Sequence, residues 1–260
     1  MPGQLFNDAE RRRLGGYPLQ VPQEDLVTFY TLTRADKAQV NRCTDAAGRL
    51  GFALQLGALR HLGFCPDELT SAPPEVVRFL ADQLRVDPRA LSAYGQRAQT
   101  RTDHFLAIQA YLGFRKPDAE ERKQLAWWLL DRDLEHDRPL LLWQLACEKL
   151  AADKVVRPWV TVLERMIVTA RRRAEHETMR RLAVALDDPG RSLLDGLLIP
   201  DASTGQTRLS WLRRGEVANT PVAILAALER RAALVGWGVD RWDLQALHPN
   251  RLKFLARLGR

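Results

Sequence analysis

The sequence predicts an all-α fold, and three observations carry that reading. Apolar residues recur with a period near 3.6 along almost the whole chain, and no segment alternates convincingly in the period of two that marks a half-buried strand. Capping patterns recur, with Asn7, Thr33 and Thr100 each placed just ahead of a periodic run. Gly and Pro clusters separate those runs from one another.

Taken in order, Asn7 caps a short helix to Leu14, ended by GGYP (Gly15 to Pro18). Pro22 precedes a helix from Gln23 to about Tyr30. Thr33, with Asp36 three residues on, caps a helix from Arg34 to Arg42 in the pattern of a capping box. Arg49 to His61 is apolar on nearly every side, through Leu50, Phe52, Leu54, Leu56 and Leu59, which predicts the central helix of a first cluster. Phe64 to Pro74 (FCPDELTSAPP) is a turn-rich break. Then come Glu75 to about Leu84, a short helix from Asp87-Pro88 to about Tyr94, the breaker Gly95, and a helix opened by Thr100 with Asp103 and ended by Gly113. Helix, helix, Gly-containing turn, helix is the outline of a trihelical helix-turn-helix unit. Asp118 to about Leu134, Arg138-Pro139 to Leu150 or beyond, and a long helix from Pro158 to about Leu186 follow. The buried stripe of the long helix is Leu163, Ile167, Ala170, Ala174 and Leu182. Asp187-Asp188-Pro189-Gly190 reads as a stop and DASTGQT (Asp201 to Thr207) as a loop. A short Trp211 segment, a helix from Pro221 to about Val235, and a basic amphipathic helix in HPNRLKFLARLGR complete the chain, the last with Leu252, Leu255 and Leu258 inward. The expectation is a multi-helix array of two or more helical units with helix-turn-helix-like trihelical elements. Residues 1–135 form the first part, with a sub-break near 64–74; residues 136–260 form a basic part with the long helix near 159–186.

Lys and Arg number 39 against 32 Asp and Glu, a net charge of +7. Residues 1–150 hold 20 of each sign, whereas residues 151–260 hold 19 basic and 12 acidic residues. Arginine dominates in that second stretch, and its planar fork suits phosphates and guanine edges. A basic balance is a footprint of nucleic acid or of an acidic membrane. The longest nearly uncharged run, Leu50 to Leu59, is about half the ~20 residues a span needs. MPGQLFNDAERRR has no apolar signal core. Cys43, Cys65 and Cys147 are far apart and odd in number, without zinc-site spacing. These features predict a cytoplasmic protein with no membrane partner and no disulfide framework.

No P-loop, GxGxxG, HExxH, GxSxG or Cys-His signature occurs, and the five histidines are scattered. No catalytic residue, metal or cofactor is therefore expected. The segment TRTDHFLAIQAYLGFR, Thr100 to Arg115, poses a different question. Phe105, Ile108 and Leu112 face a core, yet the first turn carries the donors Arg101, Thr102 and His104 where a helix favours anions. In a helix-turn-helix unit the last helix places its N-terminal residues at base edges, and its N-terminus favours a phosphate. Arg97, Arg115 and Lys116 flank it. On the long helix, Arg171, Arg172, Arg173, Arg180 and Arg181 either track a phosphate backbone or form intrahelical pairs such as Arg171 to Glu175.

The order of segments resembles the N-terminal region of transposases from class II replicative transposons, the Tn-three family. The matching pieces, in order, are FYTLTRAD (Phe29 to Asp36), GRLGFALQLGALRHLG (Gly48 to Gly63), PPEVVRFLADQL (Pro73 to Leu84), RAQTRTDH (Arg97 to His104), GFR (Gly113 to Arg115), RPLLLW (Arg138 to Trp143), PWVTVLERMIVTAR (Pro158 to Arg171) and LHPNRLKFLARLG (Leu247 to Gly259). The resemblance implies an all-helical module that binds double-stranded DNA at transposon terminal inverted repeats. It also implies that catalysis belongs to a ribonuclease-H-like domain absent from this chain, which is then not itself an enzyme. The family tends to carry another basic residue and Glu where this chain has Thr102 and Asp103, and more polar residues where it has Ala46-Ala47-Gly48.

On that basis Arg97, Arg101, Thr102 and His104 are expected on a base-reading or groove-edge helix, flanked by Arg115 and Lys116. Arg171, Arg172, Arg173, Arg180 and Arg181 are expected at phosphates, with Arg213, Arg214, Arg251 and Lys253 as further contacts. A protein-interaction or regulatory module is the rival reading. In it, Trp127, Trp128, Trp143 and Trp159 serve a partner surface, and the partner is a second copy or a full-length transposase.

Overall fold

The computed structural model describes residues 4–95, 98–136, 138–214, 220–239, 242, 244–245 and 247–258. Among these residues every regular element is helical, and the only extended pairings are the isolated bridges Arg115 with Val155 and Pro200 with Thr207. The chain divides into two compact units, residues 1–129 with 139–169, and residues 130–138 with 170–260.

The first unit opens with α1 (Asp8–Gly15), α2 (Gln23–Tyr30) and α3 (Arg34–Val40). Two capping boxes form. Asn7 and Thr33 accept from the backbone N–H groups of Glu10 and Asp36, whose carboxylates accept from Asn7 and Thr33 in return. α4 (Ala46–Leu62) starts three residues ahead of the expected Arg49, because Asp45 caps it by accepting from Gly48 N. It is the central helix: α2, α3, α5 (Pro74–Leu84) and α6 (Ala98–Leu112) all pack on it. Every residue from Leu50 to Leu59 is buried.

Two glycines make that central position possible. A Cβ on Gly57 would lie 2.2 Å from the Tyr30 ring, and one on Gly51 would lie 2.3 Å from the Tyr94 ring. A helical glycine costs about 1 kcal/mol relative to alanine. Here the bare backbone lets an aromatic face settle directly on α4. Each tyrosine hydroxyl then meets a histidine: Tyr30 to His61 Nδ1 at 3.2 Å, and Tyr94 to His104 Nδ1 at 2.8 Å.

Asp36 joins three helices. It is fully buried, and Arg60 of α4 donates to both its oxygens, at 2.6 and 3.1 Å. Tyr111 of α6 adds a hydrogen bond at 2.8 Å and the Thr33 backbone N–H another at 2.8 Å. Burial by itself raises the pKa of this carboxyl. The donors from Arg60, Thr33 and Tyr111 more than offset that and hold it at about 2.

Three local expectations are corrected. The element after Asp87 is a 3₁₀ helix, Pro88–Ala93, too short to count as the middle α-helix of a trihelical unit. α6 begins at Ala98, so Thr100 sits inside it and does not cap it, and Asp103 accepts from Gln99 Nε2 at 2.7 Å. Asp187-Asp188-Pro189-Gly190 is a start as well as a stop: Asp187 accepts from Gly190 N and caps a helix with Pro in its first turn.

The first unit is completed by most of α7 (Ala119–Glu135), by α8 (Pro139–Ala152), and by the opening turns of α9 (Val160–Ala185). Buried Glu164 of α9 anchors the N-terminal segment, accepting from the backbone N–H groups of Leu5 and Phe6 and from two nitrogens of Arg11. Phe6 meets Trp143 edge-on at 5.4 Å.

In the second unit the rest of α9 is followed by α10 (Asp188–Gly196), α11 (Arg208–Leu212), α12 (Pro221–Gly236) and α13 (Pro249–Leu258). Its buried apolar residues include Ala170, Ala174, Leu197, Ala223 and Leu247, mostly small side chains. A buried ion pair joins them: Arg251 of α13 donates to Asp133 near the end of α7 at 2.8 Å. Of the expected inward leucines of α13, Leu252 and Leu255 are half-buried, and the side chain of Leu258 lies outside the described residues.

Gly57→Ala should destabilise by ~1–3 kcal/mol through overpacking against Tyr30. Gly236→Ala, where a Cβ meets nothing within 4 Å, should be neutral or mildly stabilising. Urea unfolding of the two variants reads this. Asp36→Ala strands the Arg60 cation and should cost about 3–5 kcal/mol. Because the folded pKa lies below the ordinary carboxyl value, the stabilisation from Asp36 is complete above about pH 4. It is lost as pH falls towards about 2, an amount of roughly 2 kcal/mol. The stability gap between the wild type and Asp36→Asn should therefore narrow over that window in acid titrations of unfolding.

Candidate nucleic-acid interface

The donor-rich start of α6 turns inward. Arg101 is half-buried, and its Cδ lies 2.6 Å from where a Cβ on Gly95 would sit; the φ of +78° at Gly95 independently favours glycine. Its charge acts on Tyr17, Cys65 and Tyr94: burial raises all three groups, Cys65 to about 12, and Arg101 lowers each in part. Its backbone carbonyl accepts from Gln55 of α4 at 3.4 Å. His104 lies between the Tyr94 hydroxyl and the Cys43 sulfur, 3.6 Å from its Nε2, stacked on Tyr94 and edge-on to Phe52. Burial lowers its pKa, with Asp103 and Asp45 opposing, which disfavours the charged form of the ring. In this structure Arg101 and His104 serve the packing of α4 against α6, and that is how a donor-rich turn is accommodated. Thr102 is exposed on the same helix, and Arg97 lies outside the described residues.

Arg115 is exposed but committed. Its side chain pairs with Glu121 and donates to the Asp153 carbonyl at 2.7 Å. Its backbone bridges to Val155, donating to the Lys154 carbonyl and accepting from Val156 N. It therefore ties the link after α6 to the link after α8. Lys116 beside it is exposed.

On α9 the arrangement differs. Arg172, Arg173 and Arg180 are exposed, and Arg171 and Arg181 are half-buried. At 3.6 residues per turn, Arg172, Arg173, His176 and Arg180 fall within about 100° of one another. Arg180 grips Glu177 through two nitrogens, at 2.7 and 2.8 Å, and Arg181 adds a third bond at 2.9 Å. Those bonds hold the Glu177 carboxyl at about 2, so it remains charged. Two cations on one carboxylate leave a surplus, and residues 171–181 carry five Arg against two Glu in all. Elsewhere in the second unit Arg213, Arg214 and Lys253 are exposed. Arg251 is not. It is 2% exposed, and the expectation of a phosphate contact there gives way to its internal pair with Asp133.

Charge divides differently by unit than by sequence half. The first unit holds 21 Lys and Arg against 18 Asp and Glu, the second 18 against 14. The smaller second unit is the more basic per residue, but the first is basic too. Of the four tryptophans considered for a partner surface, Trp143 is buried and Trp128 is half-buried under Lys149, while Trp127 and Trp159 are exposed. Among the described residues no cluster of three His, Cys, Asp or Glu is placed to hold a metal ion, and no helix is long and apolar enough to cross a membrane.

Known proteins match this chain along its length. It is 31% identical over its full extent to the transposase of transposon Tn501 of Pseudomonas aeruginosa, covering 26% of that protein. It is 29% identical over 93% of its length to the transposase of transposon Tn1546 of Enterococcus faecium, covering 25% of that protein. It is 30% identical over 99% of its length to the transposase of transposon gamma-delta of Escherichia coli, again covering 26%. The chain thus spans about a quarter of the length of these relatives. A family profile described as "Domain of unknown function (DUF4158)" matches residues 5–170, ending where the first compact unit ends in α9. The chain belongs to that family, and it is homologous over its whole length to an N-terminal region of the Tn-three-family transposases.

Proposed function

We propose that this chain is the DNA-end-binding part of a replicative transposase and recognises transposon terminal inverted repeats. The catalytic steps then belong to the three-quarters of the relatives that it does not match. The observation that carries this reading is the α9 surface, where Arg172, Arg173 and Arg180 stand exposed on one face with a local excess of positive charge. Arginines at that spacing suit successive phosphates. The homology supplies the context, since each of the relatives is a transposase.

In this reading the phosphate contacts come from Arg172, Arg173 and Arg180, with Arg213, Arg214 and Lys253 as further cations of the second unit. On the first unit, exposed Thr102 and Lys116 remain candidates at the duplex. Arg101 and His104 act on binding only indirectly, by holding α6 against α4.

Fluorescence anisotropy of a labelled duplex carrying the transposon's terminal repeat, against a scrambled duplex, tests the proposal. With six or more phosphates contacted, affinity should fall ~10³-fold or more between about 50 and 200 mM salt. The terminal repeat should win at both concentrations. Arg172→Ala with Arg173→Ala should weaken both duplexes alike and reduce the salt slope by roughly 2. A flat salt response, or equal affinity for the two duplexes, would contradict the proposal.

A further inference from the structure

α12 begins under a Thr220 cap, with proline in its first turn. Small residues lay it on its unit. Ala223 is buried, and Ala226, Arg230 and Ala233 are half-buried on the same side. The large aliphatic side chains point the other way. Val222, Ile224, Leu225, Leu228 and Val235 are each more than half exposed, Val222 to 76%. A surface helix ordinarily does the reverse and turns its aliphatic stripe to the core. Helix propensity does not ask for these residues either, since valine and isoleucine serve a helix less well than alanine or lysine.

At 3.6 residues per turn, Ile224, Leu225, Leu228, Ala232 and Val235 fall inside a stripe about 100° wide that holds no charged residue. Glu229 and Arg231 border it, one on each side. Leu225, Leu228, Ala232 and Val235 follow one another at spacings of three, four and three, the seam by which helices pair with helices. Small Ala232, between Leu228 and Val235, leaves a hole for a partner's leucine. The exposed aliphatic side chains together present roughly 500 Å², near the top of the range for the largest apolar patch on a monomer. Two such patches face to face would bury roughly 1,000 Å², the amount a specific interface needs. The face is thus built to receive a helix of its own kind, and a patch that meets itself across a twofold axis is the commonest way soluble chains assemble.

We propose that α12 is the contact by which two copies of this chain pair, α12 against α12, with Leu225, Leu228 and Val235 buried between them. The pairing does not rest on DNA binding.

Sedimentation of the nuclease-treated full chain from about 1 to 200 μM tests this, since association follows mass action. A dimer that gains population with concentration is expected. An apolar contact should hold it together at ~0.5 M salt, where charged surfaces are screened. Leu225→Glu with Leu228→Glu should weaken it at least about 100-fold, because carboxylates from both copies would be buried in one contact. Both leucines are exposed in the single chain, so helicity by circular dichroism should be unchanged. Should that variant lose helicity, Leu225→Ala with Leu228→Ala keeps the helix and should weaken the dimer roughly tenfold or more. Val27→Glu, at an exposed aliphatic position on α2, should leave the dimer intact. A chain that is monomeric throughout the range overturns the proposal and leaves the face to another polypeptide or to lipid. A dimer that dissociates at ~0.5 M salt, or that a folded α12 variant leaves unchanged, overturns it as well. None of these outcomes bears on the α9 arginine face, whose test is duplex binding.

Discussion

The first unit depends on one buried charge. Asp36 has no exposure to water, and it is tolerable there because Arg60, Tyr111 and the Thr33 backbone all donate to it. Those donors lie on α4, on α6 and at the start of α3, so meeting the needs of one carboxylate orients three helices. The aromatic contacts at Gly51 and Gly57 then set how closely neighbouring elements approach α4. Apolar burial drives the collapse of such a unit, but apolar contact is not directional. The Asp36 network fixes α3, α4 and α6, and the two ring-on-glycine contacts fix α2 and the segment ending at Tyr94, against α4.

Much of this fold was legible along the chain. Periodicity and capping located nearly every helix, because those signals are local: a cap and its partner lie three residues apart. What was not legible is non-local. Arg60 is 24 residues from Asp36 and Tyr111 is 75, and nothing in the spacing joins them. Asp36 was readable as a capping-box residue and not as the hub of the unit. The 3₁₀ form of Pro88–Ala93 and the helix after Asp187 were missed for another reason. Short Pro-led segments carry the same residues whether they stop, turn or start a helix.

The candidate site was less legible than the fold. Arginine and histidine are ambiguous from sequence, since an amphipathic side chain can serve an interior or a surface equally well. Arg101 and His104 resembled groove-facing donors, yet the structure sends them towards Gly95, Tyr94 and Cys43. Arg251 resembled a surface cation and is a buried partner of Asp133. On α9, Arg172, Arg173 and Arg180 are exposed, because Ala170, Ala174 and Thr178 define the opposite side of that helix, whereas Arg171 and Arg181 are half-buried.

Arginine modification mapped by mass spectrometry reads whether the α9 arginine face meets DNA. The chain would be treated with a guanidinium-selective reagent, with and without the terminal-repeat duplex. Arg172, Arg173 and Arg180 should lose reactivity when the duplex is present, while Arg78 and Arg89, exposed on other elements of the first unit, keep theirs. Unchanged reactivity along α9 at duplex concentrations that saturate binding would contradict it.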